Sequence, residues 1–426
     1  MLFFLKHRWT WILITLCCIS IEPHTYAVPT SYSLFQCYQE AEQKNETLAL
    51  ETESISQARE HLQQAKAGFW PTLSLSASTL KQQPIDSPLG SDISPSTQTT
   101  LKGTLTQNLF RGMQDLANLR SQKSNLASIK WARESAKLQL YQDVTQAFYA
   151  VLINETDIEI YHQEHKAELA RKQEILRLKK AALARESDLV TMESSIATLE
   201  ALEASTQVLL QTARENLRFL LDAPTSYTLV DTDLSPTPLP PLATWLHQLH
   251  MRPEIQQAKE EIKAAQASLS AAKANHYPSL DLSTNYYMKR PGLTQDIHWD
   301  ALLSLTLPLF QGGMVESRVR EAAMQQSSKE IQLVQITRRL DSTLRALYAS
   351  LQEEHIQAEK LQQAVVLAEK SYTLLAKDNR QGLATHMEVL TAMNRAYETQ
   401  RTYNRLRLSM KSDRKKLELL AFQIPR

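Results

Sequence analysis

Apolar and polar side chains alternate in four segments of the chain. Leu73, Leu75 and Ala77 share one face against Ser74, Ser76 and Ser78, and Leu101, Leu105 and Leu109 stand opposite Lys102, Thr104, Thr106 and Asn108. Further on, Leu280, Leu282, Tyr286 and Met288 oppose Asp281, Ser283, Asn285 and Lys289. Trp299, Ala301, Leu303, Leu305 and Leu307 oppose Asp300, Ser304 and Thr306. A period of two with one apolar face predicts a β-strand. Each run is about ten residues, the length of a tilted strand that crosses a bilayer. One face then meets lipid and the other a polar lumen, with Trp70, Tyr277, Tyr286 and Trp299 placed for interfacial aromatic girdles. Four strands cannot close a barrel, and each orphaned backbone group in hydrocarbon costs several kcal/mol. Identical copies must therefore pool their strands. Eight strands fill with their own side chains, whereas a larger barrel holds an open lumen. Three copies are then the smallest workable number for a channel. The competing reading is a pair of soluble hairpins packed on helices.

Between the alternating segments the pattern changes to that of helices. Leu34, Ala41, Leu48, Ile55, Leu62 and Phe69 recur every seven residues, as do Ile255, Ile262, Leu269 and His276. Ala58 and Ala65, and then Ala258, Ala265 and Ala272, lie three positions on. A sustained seven-residue period marks supercoiled helix packing, and alanine on the second seam lets backbones approach. Met113 to Leu152 contains no Gly or Pro and spans about 60 Å if helical. The return from Asp157 towards Leu221 spans about 100 Å if continuous. Hairpin tips are expected near Ile153–Glu155 and Gln352–Glu354, with bends or breaks near Arg185–Asp188 and Arg380–Thr385. No bilayer accommodates such lengths, so these helices must stand outside it.

The two halves of the chain repeat one plan. "AKAGFWPTLSLSAS" (65–78) matches "AKANHYPSLDLSTN" (272–285), "LTQNLFRGMQ" (105–114) matches "LTLPLFQGGM" (305–314), and "AFYAVL" (147–152) matches "ALYASL" (346–351). "DLSPTPLPPLATW" (233–245) reads as an extended linker, and "PIDSPLGSDISPS" (84–96) as an exposed loop. The expected organisation is a secretory signal over 1–27, a first repeat over 28–222, a Pro-rich linker over 223–244 and a second repeat over 245–426. Each repeat holds a helix, two strands and a long helical hairpin. The signal rests on Lys6 and Arg8, the apolar stretch Trp9–Ile21 and the small-residue site ending at Ala27.

Composition narrows the function. With 8 Gly in 426 residues, the chain favours long helices over a loop-rich enzyme fold. A net charge of +1 supplies no basic field for nucleic acid. Beyond the signal Cys37 stands alone, so no internal disulfide is expected. His162 with His165 and His247 with His250 have ligand-like spacing, yet no further ligand accompanies them, and a solvated helix surface is the simpler reading. No phosphate loop or nucleophile motif is present, so neither catalysis nor a cofactor is expected.

The ordered, duplicated phrases above, together with "MRPEI" at Met251, resemble the TolC-like outer-membrane efflux proteins over nearly the whole chain beyond the signal. The resemblance implies a mainly α fold with transmembrane β. Long helical hairpins form a periplasmic tunnel, and each chain gives four strands to a trimeric twelve-stranded outer-membrane barrel. It implies a homotrimer in outer-membrane lipid, acting as a passive exit duct for tripartite efflux or type I secretion. The resemblance also implies that energy comes from an inner-membrane transporter reached through a periplasmic adaptor. The alternative is a soluble periplasmic coiled-coil scaffold or adaptor.

Within the resemblance, Phe110 and Gly112, and then Pro308, Phe310, Gly312 and Gly313, mark where strand becomes tunnel helix. Asn108 replaces Pro308, Met113 replaces Gly313 and Ala182 replaces Gly382 between the halves, which leaves the local turn geometry open. Val151, Leu152, Asn154, Ala349, Leu351 and Gln352 are the candidate adaptor contacts at the expected tips. Glu155, Asp157, Glu353 and Glu354 are the candidates for acidic rings at an entrance.

Overall fold

The structure is a computed structural model, which describes residues 30–83, 95–223, 227–232 and 239–421. The expected signal segment, most of the loop after Pro84 and parts of the linker lie outside the described residues. The described chain begins with β1 (Thr30–Tyr32), α1 (Leu34–Lys44) and α2 (Glu46–Ala67). Strands β2 (Thr72–Lys81) and β3 (Thr97–Arg111) follow, then α3 (Gln114–Lys180), α4 (Glu186–Leu221) and β4 (Tyr227–Leu229). The second half runs α5 (Leu242–Gln248), α6 (Pro253–Ala274), β5 (Ser279–Lys289), β6 (Trp299–Thr306), α7 (Met314–Arg380) and α8 (His386–Leu420).

Local chemistry sets the boundaries. Ser33 and Gln36 form a capping box at the start of α1, and Thr385 and Glu388 form one at the start of α8. Asn45 divides the predicted seven-residue run into α1 and α2: its extended backbone ends one helix, and its side chain accepts from the Thr47 and Leu48 amides of the next. Pro253 sits in the first turn of α6, where its missing N–H costs nothing.

The four predicted strands form one antiparallel sheet in the order β2-β3-β5-β6. Leu73 pairs with Leu105, Leu105 with Thr284, and Thr284 with Ala301. Strand β3 is longer than the pattern predicts, 15 residues, and carries register shifts at Leu101/Lys102 and Asn108/Phe110. The linker is less extended than expected. Tyr227–Leu229 pairs in parallel with Thr30–Tyr32, and α5 begins before the expected boundary at residue 245. Trp245 and Leu249 are buried with Leu340 and Leu344, so apolar burial outweighs the neighbouring prolines.

The hairpin tips lie elsewhere than the sequence pattern placed them. Helices α3 and α7 each run 67 residues without a break, about 100 Å. The chain reverses at 181–185 and 381–385, where only bends or breaks were expected. Ile153–Glu155 and Gln352–Glu354 are mid-helix. The start of α2 and the end of α4 meet there, since Leu48, Leu217 and Leu221 share a core with Leu138, Val144, Phe148 and Val151. Ile255 and Leu417 meet Leu344 and Leu351 likewise in the second half. Each long helix is thus flanked by two shorter ones that meet end to end at its waist.

The halves are not equally packed. Seventeen residues of α3 are buried but four of α7, although the two helices have equal length. Helix α3 packs on α1, α2, α4, α6 and α8, while α7 packs on α5, α6 and α8. One flank of α7 leaves Met324, Ile331, Val334, Val366, Leu367 and Leu374 exposed.

Candidate functional site

The sheet presents two chemically opposite faces. On one lie Leu73, Leu75, Leu105, Tyr286, Trp299, Leu303 and Leu305, all exposed; Leu75 is 69% and Leu305 69% exposed. On the other, polar side chains bond across strands. The Thr104 hydroxyl donates to Asn285 Oδ1 at 2.8 Å, and Asn285 Nδ2 donates to Asp300 Oδ1 at 2.8 Å. Near the helical end Arg111 Nη2 donates to Asn108 Oδ1 at 2.7 Å, with Arg111 Nε 3.8 Å from Asp281. Strands β2 and β6 each have a neighbour on one side within the chain. Two open edges and an uncovered apolar face are an incomplete structure in any solvent.

Both passages from strand to long helix use two successive left-handed residues. Gly112 and Met113 have φ of 62° and 66°, and Gly312 and Gly313 have 61° and 81°. Of the predicted turn residues, Gly112, Gly312 and Gly313 stand in these turns, whereas Phe110 lies within β3. The departure of Met113 from glycine leaves the geometry unchanged. Gly112 is also sterically required: a Cβ there would sit 2.5 Å from the Ala274 carbonyl oxygen and 2.8 Å from Tyr277 Cβ. At Gly312 and Gly313 a Cβ would meet nothing within 4 Å. Leu309 and Phe310, on the run-in to the second turn, are 87% and 88% exposed.

The residues proposed from sequence as tip contacts are not at a tip. Val151 and Leu351 are buried in the two waist cores, and Leu152 packs against the first. Asn154 turns back to donate to the Ala150 carbonyl. Ala349 and Gln352 are exposed, but on the middle of α7. The acidic candidates form no common ring either. Glu155 accepts from Arg214 Nη2 at 2.8 Å, and Glu354 accepts from Ser350 Oγ. Glu353 is exposed at mid-helix. Asp157, 1% exposed, accepts from Arg405 Nε at 2.6 Å. The helix continued past them because nothing in 113–180 stops it.

Asp157 begins a buried polar seam that the sequence reading missed. Tyr161, Glu164, Glu168, Arg171 and Ile175 follow it at alternating steps of four and three, all buried on α3, so they form one coiled-coil stripe. Arg401 of α8 pairs with Glu164 and stacks on Tyr161 at 4.4 Å. Ser195 of α4 donates to Glu168 Oε1 at 2.7 Å, and Asn394 of α8 donates to Ser195. Burial pushes the carboxyls of Asp157, Glu164 and Glu168 above the usual range, against the pull of their hydrogen-bond partners. Arg171 reaches the second tip. It donates to Asn379 and Glu174 and lies 3.1 Å from His386 Nδ1. Burial first, and Arg171 second, lower the His386 pKa.

The true tips are alike in both halves. Ala182 and Gly382 are left-handed, with φ of 59° and 78°. The Leu183 amide donates to the Leu178 carbonyl and the Leu383 amide to the Asp378 carbonyl, both at 2.9 Å, the pattern of a Schellman turn. Leu183 and Leu383 point outward, 73% and 76% exposed. His162 and His165 lie 3.5 and 3.3 Å from Glu203 and Glu200 on the neighbouring helix. Among the described residues no group of three or more possible metal ligands occurs. Cys37 is buried in the first waist core, and burial raises its thiol pKa to about 12. No described helix is long and apolar enough to cross a membrane.

The sequence matches the family described as "Outer membrane efflux protein" over residues 37–222 and 247–421. It is 24% identical to outer membrane protein TolC of Escherichia coli over 388 residues, 86% of this chain and 77% of TolC. It is 26% identical to the probable outer membrane lipoprotein SilC of Salmonella typhimurium over 180 residues, 40% of this chain and 38% of SilC. The latter match thus spans less than two-fifths of that relative. Among solved structures, VceC of Vibrio cholerae superimposes with a TM-score of 0.78 at 20% identity, covering 91% of this chain and 95% of VceC. The Campylobacter jejuni CmeC outer membrane channel does so at 0.81 and 15% identity, covering 92% and 85%. At such identities the likeness is one of fold, and it covers more than nine-tenths of the chain. The matched profile covers both repeats, and the chain belongs to the outer membrane efflux protein family.

Proposed function

We propose that three copies of this chain assemble into a duct through the outer membrane, with β2 of one copy pairing with β6 of the next to close a twelve-stranded barrel. The observation that carries this reading is the four-stranded sheet with two open edges and one uncovered apolar face. The under-packed flank of α7 supports it independently. In a ring of copies that flank meets the short helices of a neighbour, so the apolar residues it exposes become interface. Below the barrel the long helices form the tunnel wall. Cargo moves passively, for tripartite efflux or type I secretion, and the energy comes from an inner-membrane transporter through an adaptor. We place the adaptor contact at the turns around Leu183 and Leu383 rather than at Val151 or Leu351, because the turns are the ends most distant from the barrel and each carries an outward leucine.

The rival, a soluble coiled-coil scaffold, has to leave Leu73, Leu75, Leu303 and Leu305 in water, at roughly 1.5–3 kcal/mol each relative to burial. Membrane fractionation decides between them. The duct resists carbonate extraction, migrates as a heat-modifiable trimer and conducts in a planar bilayer. A monomer released by carbonate overturns the reading.

A further inference from the structure

The polar face of the sheet is uneven in charge along its length. Near the helical end, Arg111 and Asp281 offset one another. Near the far end, Tyr287 is flanked by two cations: Arg290 lies 4.2 Å from its ring centroid and Lys102 Nζ 5.9 Å. Asp300 faces Arg290 at 3.6 Å and is itself held by Asn285, which Thr104 orients. One carboxylate thus answers two cations, and Lys102 has no ion-pair partner among the described residues. Lys102 and Tyr287 pair directly across β3 and β5, so ring and ammonium are set by the ladder.

We propose that these residues form an anion-binding collar in the outer third of the barrel lumen. The inference rests on the trimeric duct, which repeats the cluster three times around one axis. Cation–π contact holds both side chains against the wall instead of leaving them free to extend. Lys102 keeps its N–H donors open to the lumen, where they attract chloride and the carboxylate or phosphate groups of solutes. The Debye length at physiological salt is about 8 Å, so each ammonium acts well beyond its own contact distance into the bore. Three unbalanced ammonium groups therefore act across the bore, and the low-dielectric wall strengthens their field. The collar favours anions over cations at the exit.

The experiment is the reversal potential of the purified full chain in planar bilayers under a KCl gradient. It compares the wild type, Lys102→Gln, Lys102→Arg and the double variant Lys102→Gln/Arg290→Gln. The heat-modifiable trimer on a gel shows that each variant has assembled. Lys102→Gln should lower the chloride-to-potassium permeability ratio about twofold, the double variant should lower it further, and Lys102→Arg should keep the wild-type value. Identical reversal potentials in wild type, Lys102→Gln and the double variant overturn the collar and leave the duct standing. A wild-type protein that stays monomeric and never conducts overturns the duct, and the collar with it.

Discussion

Met113 and Gly313 hold the same left-handed backbone, φ of 66° and 81°, each as the residue before a 67-residue helix. Tertiary structure imposes this conformation, because the two strands must hand their chains to two equivalent helices whichever residue stands there. A non-glycine residue in this region costs about 1–2 kcal/mol. Met113→Gly should therefore raise the stability of the assembled protein by about 1 kcal/mol per chain, less the added entropy of the unfolded state. Gly313→Ala should cost about the same. Gly112→Ala should be far worse, since its Cβ would overlap the Ala274 carbonyl. Denaturant unfolding of the three variants reads the order directly, and an unaltered Gly112→Ala would show that the turn relaxes.

The two faces of β6 give a paired test of the membrane reading. Leu303, near the middle of β6, belongs to the apolar face and Ser304 to the polar one. An arginine on the lipid face near the bilayer midplane costs about 2–4 kcal/mol, and a trimer incurs this in every copy. Leu303→Arg should abolish the heat-modifiable trimer in the outer-membrane fraction, while Ser304→Arg should leave it in place. Equal behaviour of the two variants would remove the distinction between lipid and lumen on which the barrel rests.

Ile331 tests the α7 flank. In one chain it is 66% exposed, and an exposed residue on a helix surface tolerates substitution within about 0.5 kcal/mol. In the proposed ring a neighbour covers it, and an unpaired carboxylate there is strongly unfavourable. Ile331→Asp should convert the trimer to monomer or to degraded protein, with Ile331→Val close to wild type. Size-exclusion chromatography in detergent separates these outcomes.

The strands and turns were legible because their signals are local. Alternation fixes a face whatever lies beyond it, and the paired Gly312-Gly313 announces a left-handed turn. The tips were misplaced because the first one is closed by Ala182, which carries no such signal, and the buried waist around Val151 repeats as strongly as a turn would. The seam from Asp157 to Ile175 was present as a four-three spacing, but it is written in charges, which read as surface. Its partner Arg405 lies 248 residues from Asp157, beyond any local pattern. The open flank of α7 has no sequence signature at all, since it depends on what the chain lacks when alone.

Within that seam, Arg401 and Glu168 should respond oppositely to the loss of charge. Arg401 faces the buried Glu164, whose ionised form is already disfavoured by burial. Arg401→Gln leaves that carboxylate unpaired and should destabilise by about 3 kcal/mol. Glu168 has a hydroxyl donor on one oxygen, while its other oxygen, also buried, accepts from no group. Its pKa is raised chiefly by burial, so the folded state holds its proton more tightly than the unfolded state. The contribution of Glu168 is therefore most favourable below the unfolded carboxyl pKa and is lost as pH rises through the folded value. Glu168→Gln supplies the neutral form at every pH, so it should be neutral or stabilising at pH 7 and should flatten the decline in stability between acidic and neutral pH. Thermal unfolding of both variants across that range checks the sign: a Glu168→Gln protein that loses as much stability at pH 7 as Arg401→Gln would mean that the ionised form of Glu168 is what holds α3 to its neighbours.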